Sequence, residues 1–303
     1  MREKFSKPAL SFGDQLELLI SRGLQVKDKD SAESFLEKVN YYRFSAYCIP
    51  FEKDRHEFID GTNFNEIVNL YEFDRKLRSL VYEALGIIET ALRTGIAYEI
   101  GNSLGAFGQT DSNNFYDISK FHSYRERAEQ EADRSKEKFV THFSNKYSEF
   151  PDLPIWAEVE IISFGCLSTM YSILNSGIKR QIAKRFFLPA PVLESWLHTL
   201  VYVRNICAHH GRLWNKGLKI YPKIPHKIEG FESCWLSEMN RIWTLMLIIS
   251  FFFKSFSYDQ VSSSWKKTLQ NLIKSSPEKM NGLDVRFGMG LPENWLENPL
   301  WKA

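Results

Sequence analysis

Between residues 63 and 100, apolar side chains recur three and four positions apart, at Ile67, Leu70, Tyr71, Leu77, Leu80, Val81, Ala84, Leu85, Ile88, Ala91, Leu92 and Ile96. That spacing lays them along one face of an α-helix. The segment reads as one long helix or two nearly collinear ones. Thr62 or Asn63 is placed to cap its start and Gly101 to stop it. Shorter patterns of the same period cover residues 14–22, 31–41, 123–143, 155–174, 178–187, 191–210, 237–256 and 262–273. Strand evidence is confined to the stretch around Phe58 and to residues 218–224, neither with an evident hairpin partner. The expected fold class is all-α, with long loops where Gly and Pro gather, at residues 101–108, 151–154, 211–225 and 280–299.

The chain has 303 residues, 44% of them hydrophobic and 25% charged, which excludes a disordered or low-complexity chain. With 39 Lys and Arg against 37 Asp and Glu, any polyanion site must come from local clustering rather than from the overall field. Cys48, Cys166, Cys207 and Cys234 form no CxxC pair, which argues against a disulfide framework or a zinc ribbon and fits a reducing compartment. The charged start, Met1-Arg-Glu-Lys-Phe-Ser-Lys-Pro8, lacks the apolar run of a secretion signal, so a cytoplasmic protein is expected. The longest apolar run, residues 242–253, falls short of the roughly 20 residues that cross a bilayer and reads as a buried core helix, so no membrane partner is expected. The expected organisation is a helical segment over residues 1–60 packed on a core of residues 61–260, followed by a helix and tail over 261–303, together one compact unit.

The densest chemistry lies in Leu200-Val-Tyr-Val-Arg204-Asn205-Ile-Cys207-Ala-His209-His210-Gly211-Arg212-Leu-Trp214-Asn215-Lys216. On a helical wheel Leu193, Trp196, Leu197, Leu200, Val201 and Cys207 make one apolar stripe with Arg204 in its middle. A buried, unpaired guanidinium is costly, so Arg204 must meet a carboxylate or open into a cleft. Two readings compete. In one, Arg204 grips a phosphate through its planar fork while a neighbouring histidine moves protons. In the other, it is a satisfied structural arginine beside two surface histidines at a helix end. At roughly 100° per residue His209 sits about 140° around the helix from Arg204, and His210 about 120° the other way. Gly211 is expected to unwind the last turn and bring Arg204 and a histidine together.

The run Arg204-Asn-Ile-Cys-Ala-His-His-Gly-Arg-Leu-Trp-Asn215 closely resembles the signature of the Abi-like abortive infection proteins, the AbiD/AbiF group, a family of the HEPN superfamily. Further stretches match the same family: Asn40-Tyr-Tyr-Arg-Phe-Ser-Ala-Tyr47 with Pro50-Phe51, Leu70-Tyr-Glu-Phe-Asp-Arg-Lys-Leu-Arg78, Ile88-Glu-Thr-Ala-Leu-Arg-Thr94, Trp156, Glu160-Ile-Ile-Ser-Phe-Gly-Cys-Leu-Ser168, Pro292-Glu-Asn-Trp295 and Pro299-Leu-Trp301. The resemblance spans nearly the whole chain. It implies a HEPN-like helical bundle with additional helices, acting as a metal-independent endoribonuclease in phage defence or a toxin–antitoxin system. The superfamily motif is an Arg, four to six residues, then a His, with a polar residue directly after the Arg. Arg204 and Asn205 fill the first two places, and His209 is preferred over His210 for the last. A Glu-x-x-x-Arg pair of some HEPN groups is matched by Glu89 and Arg93, with Glu89 as partner for Arg204 or His209. The same pair also fits an ordinary i, i+4 salt bridge.

Cleaving RNA without a metal uses the adjacent 2′-hydroxyl as nucleophile and leaves a 2′,3′-cyclic phosphate, so a base, an acid and a cation are required. One motif supplies one well-placed proton mover unless both histidines share the work, which makes a two-fold homodimer the natural arrangement. After the motif, Arg212, Lys216, Lys219, Lys223, His226 and Lys227 interleave with Trp214 and Tyr221, a composition suited to single-stranded RNA. Tyr41, Tyr42, Arg43 and Tyr47 form either a second such surface or core. The spacing of Cys207, His209 and His210 fits no zinc motif, and no phosphate-binding glycine loop, dinucleotide fingerprint or nucleophile elbow is present, so neither metal nor cofactor is expected. The alternative function is a non-catalytic RNA-binding or scaffold protein. A toxin needs restraint, and an antitoxin RNA or antitoxin protein is the expected partner.

Overall fold

The computed structural model describes residue 6 and residues 8–232, 234, 241–276 and 280–302. The long apolar period becomes a single helix, α4 (Phe64–Leu104). Its start is fixed by reciprocal capping: the Glu66 amide donates to Asn63 Oδ1 at 3.2 Å, and the Asn63 amide donates to Glu66 Oε2 at 2.9 Å. Gly101 does not stop it. The helix continues until Gly105, whose φ of 86° lies where other residues are strained.

Before α4 come α1 (Phe12–Ser21), α2 (Lys29–Lys38), α3 (Tyr41–Cys48) and a short antiparallel hairpin, β1 (Glu52–Asp54) with β2 (Glu57–Phe58). Phe58 thus does have a hairpin partner. The helix expected over 31–41 is α2 and ends at Lys38, and Asn40, which accepts from the Tyr42 amide, starts the separate α3. After α4 follow α5 (Ile118–Arg134), α6 (Lys138–Lys146), α7 (Ile155–Ile161), α8 (Phe164–Ile173), α9 (Ser176–Arg185) and α10 (Ala190–Ala208). The patterns over 123–143 and 155–174 each break in two. In the second, Ser163 accepts from the Cys166 amide at 3.1 Å and starts a new helix, so a capping hydroxyl overrides continuous apolar periodicity. Residues 218–224 form no strand. They run as a loop, with the Lys223 carbonyl accepting from Trp196 Nε1 at 2.8 Å.

The apolar run at 242–253 lies in α11 (Ile242–Ser255), where every residue from Ile242 to Phe253 is buried, as a core helix requires. Part of the pattern expected over 237–256 falls on residues outside those described. The chain ends in α12 (Asp259–Ser275), the short α13 (Val285–Met289) and a tail in which Trp295 and Trp301 pack on Trp243. The expected 280–299 loop therefore contains a helix. The protein is all-α, with one hairpin among the described residues. Helices α3, α7, α8, α9, α10, α11 and α12 all pack on α4, and one cluster of buried apolar side chains extends from Leu16 to Trp301. Among the described residues no single helix is long and apolar enough to cross a membrane.

Candidate active site

Helix α10 carries Arg204 out of its apolar stripe toward α4. There Arg204 Nε lies 3.3 Å from Glu89 Oε2, and Nη2 lies 3.4 Å from Glu89 Oε1. The carboxylate is shared with Arg93, one turn further along α4, whose Nε and Nη2 donate to Glu89 Oε1 at 3.1 and 2.5 Å. Arg93 also donates to the carbonyls of Val159 and Ile162 where α7 ends, at 2.8 Å for Ile162. Two guanidiniums thus face one carboxylate, leaving excess positive charge. The exposure is uneven: 12% for the Glu89 and Arg93 side chains against 28% for Arg204. Arg204 is the outward-facing member, held by long bonds. Its Nη1 adds a contact of 3.2 Å to the Oδ1 of exposed Asn205.

The helix end departs from expectation. His209 is still tied to the helix by its amide, which donates to the Asn205 carbonyl at 3.0 Å. Reversal begins one residue later, at His210 (φ 55°), whose amide donates to Cys207 O at 3.1 Å while the Gly211 amide donates to Ile206 O at 2.8 Å. Unwinding therefore follows His209 rather than preceding it, and the left-handed residue is a histidine. At Gly211 space is tight: a Cβ there would lie 3.3 Å from both Ile206 Cγ2 and Ile206 O. His209 and His210 are exposed. Cys207 is buried, and burial pushes its thiol up to about 12, so it offers no thiolate nucleophile.

Beyond the turn, the structure uses residues that the sequence reading passed over. Asp74 on α4 is fully buried and collects the Leu213 amide at 3.2 Å, the Trp214 amide at 2.7 Å, Tyr47 Oη at 2.6 Å and Arg78 Nη1 at 2.5 Å. Burial and the adjacent Asp74 charge raise the Tyr47 hydroxyl well above the usual tyrosine range, so it stays a donor. Arg43 of α3 donates to the His210 carbonyl, and Arg212 donates back to the Ala46 carbonyl of α3. The available signal was the one used for Arg204: Asp74 and Arg78 are charges set one turn apart inside the apolar face of α4.

These contacts correct the expected RNA surface. Trp214 is not a stacking platform. It has no exposed surface, donates from Nε1 to Val285 O at 2.8 Å, and its indole fills the space left by Gly288, where a Cβ would lie 2.3 Å from the ring. Arg212 is half-buried and committed to α3. Lys216 is half-buried, while Lys219, Tyr221 and Lys223 are exposed. Tyr47 is core, whereas Tyr42 is 77% exposed. Among the described residues no three His, Cys, Asp or Glu side chains are grouped to hold a metal ion.

The motif, its α4 partners and the α3 segment that straps it all fall inside residues 34–215, the stretch matched by the family model described as Abi-like protein. No curated protein and no solved structure matches the chain. Family membership points to abortive infection, that is, to phage defence. With more than half of its length matched, and with the matched stretch ending on the Arg204-to-Asn215 motif, this chain belongs to the Abi-like protein family.

Proposed function

We propose that the protein is a HEPN-type, metal-independent endoribonuclease, deployed as an abortive-infection or toxin–antitoxin effector. The observation that carries this reading is the state of Arg204: a guanidinium drawn from an apolar stripe, loosely held by Glu89, partly open to solvent, and one turn from two exposed histidines. An RNA phosphate competes well for such a cation, because bidentate contact with a phosphate is shorter and stronger than bonds of 3.3 and 3.4 Å. In the reaction the 2′-oxygen attacks phosphorus and loses its proton to a base, while the bond to the 5′-oxygen breaks and that oxygen takes a proton. The products are a 2′,3′-cyclic phosphate and a 5′-hydroxyl. His209 is the proton mover, Arg204 stabilises the phosphorane, Asn205 and His210 support them, and Glu89 with Arg93 orients Arg204.

Because the helix stays wound through His209, Arg204 and His209 leave it in different directions. A homodimer joining two motifs across one cleft supplies a base and an acid together. Lys219, Tyr221 and Lys223 extend the RNA-binding surface, and an antitoxin RNA or antitoxin protein restrains the activity in the host. A second reading, a non-catalytic RNA-binding scaffold, draws on the Glu89 carboxylate already facing Arg204. The deciding experiment incubates purified protein with labelled single-stranded and structured RNAs in EDTA, alongside Arg204→Ala and His209→Ala. Cleavage by wild type alone, with 2′,3′-cyclic phosphate ends, is expected. RNA that is bound but left intact by all three proteins would favour the scaffold.

A further inference from the structure

We infer that Asp74 is a positioning residue for the histidine turn, an inference that rests on reading His209 and His210 as site residues. The motif segment is pinned to one rigid helix at two places. Arg204 meets Glu89, and ten residues later Trp214 meets Asp74, nearer the N-terminus of the same helix. The separation of Glu89 and Asp74 along α4 is about 22 Å at 1.5 Å per residue. Both histidines and the reversal lie between the pins. The lower pin is strong: a carboxylate with no exposed surface takes two consecutive backbone amides, a tyrosine hydroxyl and a guanidinium, and charge-assisted bonds in a dry interior are the ones that hold geometry best.

What is held is not the chain's resting preference. His210 is left-handed at φ 55° without being glycine, a conformation that needs the surroundings to enforce it. Two enforcers act on that turn. Arg43 holds the His210 carbonyl from the side of α3, and Asp74 holds the chain three and four residues on. Tyr47 and Arg78 donate to the same carboxylate, and Arg78 Nη1 also donates to Tyr47 Oη at 3.0 Å, so α3, α4 and the turn share one buried polar centre. Glu89 sets where Arg204 sits. Asp74 sets where the histidines sit relative to it.

The test uses the full chain labelled with ¹⁵N-histidine, comparing wild type with Asp74→Asn and with Leu269→Ala, a truncation of a fully buried α12 side chain outside the motif. Asn at 74 keeps the shape but loses the charge and puts an amide where donors converge. Asp74→Asn is expected to move the His209 and His210 signals while leaving His122 and His142 in place, and Leu269→Ala to move neither motif histidine. In the cleavage assay kcat falls on the order of tenfold to 100-fold, as misplacement by a fraction of an ångström allows, with KM for RNA within about twofold. His209 and His210 signals unmoved by Asp74→Asn would overturn the inference. If Asp74→Asn does not fold, Tyr47→Phe removes one donor and leaves the amides and Arg78. It is expected to shift the same two signals less far, and unmoved signals there overturn the inference equally. A wild type that leaves RNA intact sinks the nuclease reading alone, since the histidine signals still decide the positioning role.

Discussion

Truncating Arg204 and Arg93 in turn separates a functional arginine from a structural one, because both contact the same carboxylate and differ in how they are held. Arg93 is 12% exposed, makes two bonds to Glu89 Oε1 at 2.5 and 3.1 Å, and satisfies the Ile162 carbonyl at 2.8 Å. Arg93→Ala leaves the largely buried Glu89 with only the longer Arg204 bonds and strands the Ile162 carbonyl, a loss of about 2–3 kcal/mol. Arg204 is 28% exposed and bonds Glu89 at 3.3 and 3.4 Å. Glu89 keeps Arg93 when Arg204 is removed, so Arg204→Ala loses a partly screened pair and some stem packing, about 1 kcal/mol in all. Urea unfolding followed by far-ultraviolet circular dichroism reads both values, and a double-mutant cycle with Glu89→Gln isolates each coupling. The expected coupling is about 2 kcal/mol through Arg93 and roughly 0.5 kcal/mol through Arg204. An Arg204→Ala variant as unstable as Arg93→Ala would refute the reasoning, for Arg204 would then be a brace of the fold and its loss of RNA cleavage would carry no chemical meaning.

His210→Gly is expected to stabilise the fold by up to about 1 kcal/mol, read as a slightly higher midpoint of thermal unfolding, because glycine takes φ 55° without a Cβ clash while giving back part of the gain in unfolded-chain entropy. His210→Ala keeps the clash and gives no gain, so equal midpoints for the two variants by differential scanning calorimetry would show that the turn is not strained. Gly288→Ala places a Cβ 2.3 Å from the ring of fully buried Trp214 and is expected to cost about 1–3 kcal/mol through overpacking. A urea midpoint unchanged by that methyl group would mean that Trp214 has room to move.

How much of this was legible in the sequence depends on whether the deciding signal was local. The long helical stretch and a start at Thr62 or Asn63 were readable, since the apolar period and the capping residues lie together in the chain, whereas its being one helix capped by Asn63 was left to the structure. The break at Ser163 was missed because a capping bond and continuous periodicity make opposite demands on the same residues, and only the three-dimensional packing decides. The Arg204 argument was sound as far as it went: a charge in an apolar stripe needs an acid, and Glu89 faces it. The same logic applied to Asp74 and Arg78 would have exposed the second polar centre. What no spacing could give was the fate of Trp214. An indole beside basic residues reads as a base platform, and it becomes core because α13, far along the chain, offers Gly288 and the Val285 carbonyl.

The architecture also explains why a short motif is spread over so long a matched region. Arg204, His210 and Trp214 are close in sequence, yet each is fixed by something remote: Glu89 and Asp74 on α4, Arg43 on α3 and, beyond the matched stretch, Gly288 near the end of the chain. Among these only α4 touches the motif at both ends, and it can do so because it is one unbroken helix that acts as a ruler. A break in α4 between residues 74 and 89 would let the two pins move independently, and Arg204 would then keep its carboxylate while the histidines lost their place. The continuous period between residues 63 and 100 is thus a requirement of the site as well as of the core, and Gly86, which lies in that interval with no atom within 4 Å of a Cβ built on it, is the position where added helix propensity would stiffen the ruler without disturbing its contacts.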